Sequence, residues 1–232
     1  IVLSARSETS LKKVAESLPY PDKTMVLPLD LEDSGMFDEL ANKVFAAFGR
    51  IDILVNNGGI SQRGTVAETG LEVDRKIMEI NYFGNIALAK AVLPYFRKQN
   101  YGQIIVISSI AGKFGFYLRS AYAASKHALQ GFYESLLLEE AKYNVFVTIA
   151  YPGKINTPIS MSAITATGDK HGVMDHNQAT GMSAEKCVKI ISHAAQKHKK
   201  SIVVGGKETY AVYIKRFFPT LFWKIIKNQK AT

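Results

Sequence analysis

The sequence has a single cysteine, Cys187, and no apolar run of the length that crosses a bilayer. One cysteine cannot close a disulfide within the chain, and it cannot supply a cysteine-based zinc site. A chain of 232 residues buries about 70% of the surface that its unfolded form exposes, so apolar packing alone can hold its core. These absences exclude a disulfide scaffold and favour a globular domain.

The beginning of the sequence also lacks the features of a secretory leader. Ile1-Val2-Leu3 carries no basic segment, and no cleavage site follows it. We therefore expect a protein that is cytoplasmic or peripheral to an intracellular membrane. Because the chain opens inside an apolar run and without methionine, we also expect residues upstream of Ile1.

Acidic residues are scarce at the C-terminal end, where residues 197–232 hold nine lysines and arginines against one glutamate. The net charge of +9 belongs mostly to this end, since residues 1–100 hold 12 basic and 13 acidic side chains. A nucleic-acid-binding protein usually spreads its basic residues over a binding face. The distribution argues against nucleic acid as a partner.

Strand-like and helix-like segments alternate along the chain, which predicts an α/β fold with a parallel sheet wound on both sides by helices. The strands are predicted at 1–5, 24–29, 51–55, 103–107, 145–150 and 201–204. The helices are predicted at about 8–17, 34–48, 71–98 and 120–143. The third strand is expected to be buried, and Pro94 is expected to disturb the last turns of the third helix.

Residues 153–182 show no clear periodicity and are rich in threonine, serine and glycine. A stretch of this length is typical of a functional lid or a disordered segment. His171 and His176 have no third ligand near them in the sequence, so no metal is expected. Met161, Met174 and Met182 are interpreted as lining an adaptable apolar pocket.

Small and polar residues follow the predicted strands, at Asp30, Asn56-Asn57-Gly58-Gly59, Ser108-Ser109 and Pro152-Gly153. Ligands of open α/β sheets bind outside the carboxyl ends of the strands. The sequence therefore favours a nucleotide or metabolite site at this edge.

Tyr122 and Lys126 stand four residues apart on one predicted helix, so their side chains leave the same face. An ammonium group near a phenol favours the phenolate and lowers the pKa of the tyrosine. Such a tyrosine can exchange a proton with a carbonyl oxygen, and a serine at the end of the neighbouring strand can bind the same oxygen. Alone, the Tyr-x-x-x-Lys pair would be a frequent chance pattern.

Five motifs in order resemble the short-chain dehydrogenase/reductase family over residues 1 to about 205. They are Asn56-Asn57-Gly58-Gly59, Asn81 in Ile80-Asn81-Tyr82-Phe83-Gly84, Ser109 thirteen residues before Tyr122, Tyr122-Ala123-Ala124-Ser125-Lys126, and Pro152-Gly153-Lys154-Ile155-Asn156-Thr157. The resemblance implies a Rossmann-type domain over 1–205 that includes the lid at 153–182, followed by a basic amphipathic tail at 206–232.

The resemblance also implies the roles of the site residues. Tyr122 would be the general acid/base, Ser109 would hold the carbonyl oxygen, Lys126 would hold the nicotinamide ribose, and Asn81 would hold a water beside Lys126. Ser108 is interpreted as structural, because strand alternation points it to the other side. Cofactor contacts besides Tyr122 and Lys126 are implied at Arg6, Ser7, Asp30, Leu31, Asn56, Asn57, Gly58, Pro152, Gly153, Ile155 and Thr157. A solvated strand-end acid remains the alternative for Asp30.

The choice of cofactor is predicted from the end of the first predicted strand. NAD-selective sites place an acid on the ribose 2′-hydroxyl near this position. This chain has Ala5-Arg6-Ser7 instead, and a guanidinium can pair with a 2′-phosphate through two hydrogen bonds. We therefore expect NADP(H), although Arg6 could simply be exposed.

The sequence departs from the family at its front, since it lacks the first strand and the Thr-Gly-x-x-x-Gly-x-Gly turn that holds the pyrophosphate. The usual size of a βα unit suggests roughly 25–35 further residues upstream of Ile1. The alternative is a defective domain, which the intact later motifs disfavour.

The tail interleaves aromatic and basic residues, which suits a membrane interface or packing against a second subunit or over the substrate pocket. Similar tails occur in the branch of 11β-hydroxysteroid dehydrogenase-like, membrane-associated reductases, which Ala5-Arg6-Ser7 and Ser125-Lys126-His127 also resemble. The expected substrate is a lipophilic ketone or alcohol, such as a steroid, retinoid or xenobiotic, and the expected assembly is a homodimer or homotetramer.

Three alternative functions stay open at this point. A 3-oxoacyl thioester reductase would use the same residues on another substrate. A nucleotide-sensing relative would bind the cofactor without turnover, although such relatives typically lose the tyrosine or the lysine. A peripheral membrane module would depend on residues 208–227.

Overall fold

Residues 1–227, the part of the chain that this computed structural model describes, contain ten strands and nine α-helices. The strands are β1 (Val2–Leu3), β2 (Met25–Val26), β3 (Ile53–Asn56), β4 (Gln62–Arg63), β5 (Gly102–Ile107), β6 (Val145–Pro152), β7 (Ile155–Asn156), β8 (Ile164–Thr165), β9 (Met182–Ser183) and β10 (Ser201–Val204). The helices are α1 (Glu8–Glu16), α2 (Phe37–Phe48), α3 (Leu71–Met78), α4 (Gly84–Gln99), α5 (Ser120–Glu139), α6 (His176–Ala179), α7 (Ala184–Gln196), α8 (Tyr210–Phe217) and α9 (Pro219–Ile226).

The main sheet holds four parallel strands in the order β10, β6, β5, β3. Its centre is the pairing of β5 with β6, from Gly102 opposite Val145 to Ile107 opposite Ala150. β1 and β2 form a separate parallel pair. The prediction of a Rossmann-type parallel sheet flanked by helices is confirmed.

Apolar side chains fill both faces of the main sheet. Helices α2, α4 and α5 contribute to the larger core, together with Ile104 and Val106 of β5 and alternate residues of β6. Helix α7 covers the opposite face, where Cys187 and Ile191 pack against Ile105 and Ala150. β5 is therefore buried on both faces, as its nearly unbroken apolar sequence predicts.

The prediction that the third strand is buried is wrong for one of its faces. Ile53 and Val55 of β3 are 50% and 54% exposed, whereas Leu54 packs against the larger core. Within residues 1–227, β3 pairs only with β5, so its other edge has no strand beside it. The apolar sequence predicted the strand correctly. It could not predict which face is exposed, because burial depends on the elements that pack against the strand.

The irregularity in the long helix is also not where it was predicted. The helix continues through Pro94 to Gln99, and the break in regularity is a π-helical turn at Glu79–Phe83 between α3 and α4. Asn81 lies inside this turn and is fully buried. Such turns are frequent at functional sites, because the wider turn redirects a side chain out of the regular helical register.

Short strand pairs order the lid segment, residues 153–182. β8 pairs with β4 and β7 pairs with β9, so the lid is tied both to the loop after β3 and to the start of α7. The tail up to residue 227 contains α8 and α9, and its last five positions, 228–232, lie outside the described residues. Pro219 begins α9, as a proline at a helix start should. No helix among residues 1–227 is both long and apolar enough to cross a membrane.

Candidate active site

The strand end after β5 places Ser109 at the site. Ser109 caps a short 3₁₀ turn, and its hydroxyl accepts a hydrogen bond from the Ala111 N–H at 3.1 Å. It also lies 3.5 Å from the Pro152 carbonyl oxygen at the end of β6. Ser108 faces away, since its hydroxyl donates to the Lys126 carbonyl at 3.1 Å. The two adjacent serines therefore divide into one at the site and one that attaches α5.

Tyr122 and Lys126 are both buried on the first turns of α5. The Lys126 ammonium nitrogen lies 5.8 Å from the centroid of the Tyr122 ring and donates to the Ile107 carbonyl at 3.0 Å. Burial lowers the pKa of Lys126 to about 8. Burial raises the pKa of Tyr122, and the Ser109 hydroxyl opposes that rise, as do the guanidinium groups of Arg119 and Arg63.

Asn81 lies next to Lys126 through the loop after β3. Its amide oxygen accepts from the Ile60 N–H at 2.8 Å, and its nitrogen donates to the Ile60 carbonyl at 2.9 Å and to the Ser125 hydroxyl at 3.1 Å. A Cβ at Gly59 would lie 2.9 Å from the Asn81 amide oxygen and 3.6 Å from the Lys126 ammonium. A side chain at position 59 would therefore clash with Asn81, and glycine avoids this clash.

The residues expected at the adenosine end lie in the segments that follow β1 and β2. Arg6 is exposed, and Ser7 caps α1 by accepting from the Ser10 N–H at 3.3 Å. Asp30 is exposed and accepts from the Glu32 N–H at 3.0 Å. Leu31 packs against Gly84, where a Cβ would overlap the Leu31 carbonyl. An arginine beside a helix N-terminus is a suitable place for a phosphate group.

The asparagine-glycine turn has one buried residue, Asn56, followed by two exposed residues. The Asn56 amide is buried and donates to the Tyr133 hydroxyl at 2.7 Å and to the Asn85 carbonyl at 3.2 Å. Asn57 and Gly58 are exposed at the strand end, and a Cβ at Gly58 would overlap Leu31. The Asn56 side chain thus joins β3 to α4 and α5, and the backbone of the turn faces the crevice edge.

The segment after β6 begins the lid. Gly153 donates to the Val204 carbonyl at 2.7 Å, and Glu208 of the tail accepts from the Lys154 N–H at 2.9 Å. Ile155 is buried in β7 and Thr157 is half-buried after it. Pro152 and Gly153 therefore lie at the carboxyl end of the sheet, next to Ser109.

Sequence reasoning missed a group of charged residues close to Tyr122. Arg63 of β4 and Arg119 before α5 both bind the carboxylate of Asp175 in the lid. These three residues are far apart in the sequence and belong to no local motif. They could be recognised only because charged side chains are rarely so buried, and burial is known only from the tertiary structure.

A cofactor fits the residues at this edge. Lys126 donates one hydrogen bond within the described chain, to Ile107, so two of its three N–H groups can serve a ribose. The Ser109 and Tyr122 side chains lie at the same end of β5 as that ammonium. The donors and hydroxyls therefore match a nucleotide whose reactive ring lies beside Tyr122.

Comparisons with known proteins agree with this geometry. The family model described as short chain dehydrogenase matches residues 1–168. A dehydrogenase/reductase SDR family member 7B from Xenopus tropicalis is 40% identical over 97% of this chain and 76% of its own length. A dehydrogenase/reductase SDR family protein 7-like from Drosophila melanogaster is also 40% identical, over 98% of this chain and 72% of its own.

Solved structures share the fold. A short-chain dehydrogenase from Streptomyces avermitilis has a TM-score of 0.80 and 28% identity, and the match covers 97% of this chain and 86% of that one. A tyrosine-to-phenylalanine variant of ElxO with NADPH bound has a TM-score of 0.63 and 30% identity, over 66% of this chain and 63% of that one. The family match and the 40% identical relatives establish what the motifs indicated: the chain belongs to the short-chain dehydrogenase/reductase family of oxidoreductases.

Proposed function

We propose that this protein is an NADP(H)-dependent oxidoreductase that interconverts a carbonyl and a secondary alcohol. The observation that carries the proposal is the grouping of Ser109, Tyr122, Lys126 and Asn81 at the carboxyl end of β5. Within residues 1–227 these side chains come from three separate elements, yet they converge on one buried corner.

The proposed chemistry divides between the cofactor and the chain. When bound, the nicotinamide gives or takes the hydride. Tyr122 gives the proton to the carbonyl oxygen in reduction and takes it back in oxidation, and the Ser109 hydroxyl holds that oxygen. Arg119 and Arg63 favour the phenolate against the effect of burial, and the Lys126 ammonium, 5.8 Å from the centroid of the Tyr122 ring, is proposed to add to this. Asn81 holds the loop at Ile60 against α5 through Ser125, which keeps Lys126 in place.

The preference for NADP(H) is supported by Arg6. It is exposed beside the N-terminus of α1, where a guanidinium and a helix end can share a phosphate. The ElxO structure is a family member with NADPH bound, which adds support from a relative.

A lipophilic ketone or alcohol is the proposed substrate class, with steroids, retinoids and xenobiotic carbonyls as examples. The lid exposes the apolar side chains of Met161, Val173 and Met174. Methionine adapts to irregular apolar ligands, which suits a range of such compounds. A 3-oxoacyl thioester is the second candidate substrate.

The experiment is an NADPH-consumption screen over ketones graded by size, with a 3-oxoacyl thioester in the panel and Tyr122→Phe beside the wild type. We expect Tyr122→Phe to reduce turnover by about 10²–10⁴-fold, because a general acid contributes this much, with NADPH binding kept. Substantial activity in that variant would overturn the role of Tyr122. NADPH binding without oxidation by any ketone would instead favour a nucleotide-sensing protein.

We propose further that the tail lies on an acidic membrane surface. Phe222 anchors α9 in the core, 5.0 Å from Phe114 between ring centroids, while Phe217 and Trp223 stay 68% and 57% exposed. Arg216, Lys224 and Lys227 are exposed on the same segment, whereas Lys215 is half-buried and donates to the Lys113 carbonyl at 2.9 Å. Rings and positive charges together match the interface of a bilayer with anionic headgroups.

Flotation with vesicles containing phosphatidylserine tests the tail, since the wild type should bind and vesicles of phosphatidylcholine alone should bind less. Replacing exposed Phe217 and Trp223 by serine should weaken binding while the buried Phe222 keeps the tail folded. Equal binding of both proteins would overturn the proposal, and loss of a dimer in the variant would assign the tail to a second copy of the chain.

A further inference from the structure

Three charged residues form a buried cluster over the start of α5. The Asp175 carboxylate is 1% exposed and binds Arg63, whose side chain is 5% exposed, and Arg119, which is 13% exposed. One Asp175 oxygen accepts from both guanidinium groups, from Arg119 at 3.0 Å, and the other accepts from the Arg63 Nε at 3.4 Å. A charge pair so deeply buried is costly unless its geometry is well satisfied, and here both carboxylate oxygens are bound.

The cluster joins three parts of the chain that surround Tyr122. Arg63 belongs to β4, Arg119 immediately precedes α5, and Asp175 lies in the lid, immediately before α6. Two further hydrogen bonds fix the Arg63 side chain, because its Nη1 donates to the Ser61 hydroxyl at 2.9 Å and to the Gln62 carbonyl at 2.6 Å. The lid therefore meets the catalytic helix through one carboxylate.

The neighbouring residue Gln62 fixes the first turn of α5 itself. Arg119, at the N-cap position, gives no side-chain cap to this helix. Instead the Gln62 side-chain oxygen accepts from the Ala121 N–H at 2.9 Å, one residue before Tyr122. Two successive residues of β4 thus hold the helix start and the lid, and β4 pairs directly with β8 of the lid.

The charged groups of this cluster and next to it come from several elements around Tyr122. Lys126 lies on its own helix, Arg119 precedes that helix, Arg63 comes from β4, and Asp175 and His171 come from the lid. The His171 Nε2 is 3.7 Å from Asp175. Arg119 and Arg63 both act to lower the pKa of Tyr122 against the rise that burial causes.

We propose that Arg63, Arg119 and Asp175 are positioning residues, which hold the lid against the start of α5 and keep two positive charges beside the Tyr122 phenol. The role of the charges rests on the proposed function of Tyr122 as acid and base, whereas the attachment of the lid does not.

The test compares the wild-type chain with Arg63→Gln, Arg63→Lys and Asp175→Asn. Arg97→Gln is the matched control, since Arg97 also binds a carboxylate, that of Glu140, but away from the site. Limited proteolysis within residues 153–182 measures the lid, and the pH dependence of turnover measures the phenol. The rate of proteolysis does not depend on enzymatic turnover. A wild type without activity would therefore contradict the proposed function, but the proteolysis of the lid would still test its attachment.

We expect cleavage in the lid to speed up by about tenfold or more in Arg63→Gln and Asp175→Asn, as for the loss of a buried charge-assisted hydrogen bond. Removing a positive charge disfavours the phenolate, so the midpoint of the Tyr122-dependent limb should rise by about half a pH unit or more in Arg63→Gln. Arg63→Lys keeps the charge and should keep the midpoint, and Arg97→Gln should match the wild type in both measurements.

Unchanged cleavage in both variants would overturn the attachment of the lid, and an unmoved midpoint in folded Arg63→Gln would overturn the electrostatic role. If Arg63→Gln does not fold, Asp175→Asn keeps the second test. Removing the anion should leave the phenolate more favoured and lower the midpoint, so a midpoint that stays or rises in Asp175→Asn contradicts the proposal.

Discussion

Two parts of the molecule, the proposed catalytic end and the proposed nucleotide end, differ in how deeply the chain buries them. The catalytic end, around β5, β6 and α5, is covered on both faces and holds Tyr122 and Lys126 in the interior. The nucleotide end, around β1, β2 and α1, has strands of two residues and leaves Arg6 and Asp30 exposed. The shifted pKa values of Tyr122 and Lys126 therefore coincide with burial, whereas the charges of Arg6 and Asp30 lie where solvent screens them.

The largest expected difference between the two ends is in stability. Leu129→Ala, at a fully buried position of α5, should lower the free energy of unfolding by about 2–5 kcal/mol through a cavity. Leu11→Ala, at the one buried position of α1, should cost less because the thinner layer around it can collapse. Chemical denaturation measures both, and a cost at Leu11 equal to that at Leu129 would remove the contrast.

The next expected effect is a pH dependence confined to the catalytic end. Lys126 has its pKa lowered to about 8 by burial, below the ordinary value of 10.5 that it regains on unfolding. Between these values the unfolded chain binds more protons, so the stability contributed by this group rises with pH and is least below pH 8. Lys126→Met should remove this increment, which reaches about 3 kcal/mol at 1.4 kcal/mol per pKa unit.

Denaturation of the wild type and Lys126→Met at about pH 7 and pH 10 measures the increment directly. Lys90→Met, on an exposed position of α4, is the control and should leave the pH dependence unchanged. If the difference between wild type and Lys126→Met stayed constant with pH, the lysine would not be held in a low-dielectric environment.

The smallest expected effect lies at the nucleotide end. Arg6→Gln should weaken NADPH binding by about tenfold and leave NADH binding unchanged, because only the former carries the 2′-phosphate. Lys13→Gln, exposed on α1, is the matched control for loss of positive charge. Binding titrations with NADPH and with NADH measure the effect. An equal loss of affinity for the two nucleotides would exclude Arg6 as the residue that selects NADPH.

Local sequence patterns predicted much of the catalytic end. Short motifs placed Ser109 at a strand end and Tyr122 and Lys126 on the first turns of a helix, because each motif spans only a few residues. The same patterns placed β5 and α5 within a few residues of their observed bounds. They were wrong at β3, one face of which is exposed, and at Pro94, through which α4 continues to Gln99.

The sequence by itself determined the family and the order of strands and helices, and it predicts the chemistry of the tyrosine and lysine pair. Only the tertiary structure decided that Arg63, Arg119 and Asp175 meet, since 112 residues separate the first of them from the last. It also decided that Asn81 lies in a π-helical turn against Gly59. The physical reason is that side-chain chemistry and local hydrogen bonding follow the order of the chain. Burial, and the contacts between distant charges that burial strengthens, exist only after the chain has folded.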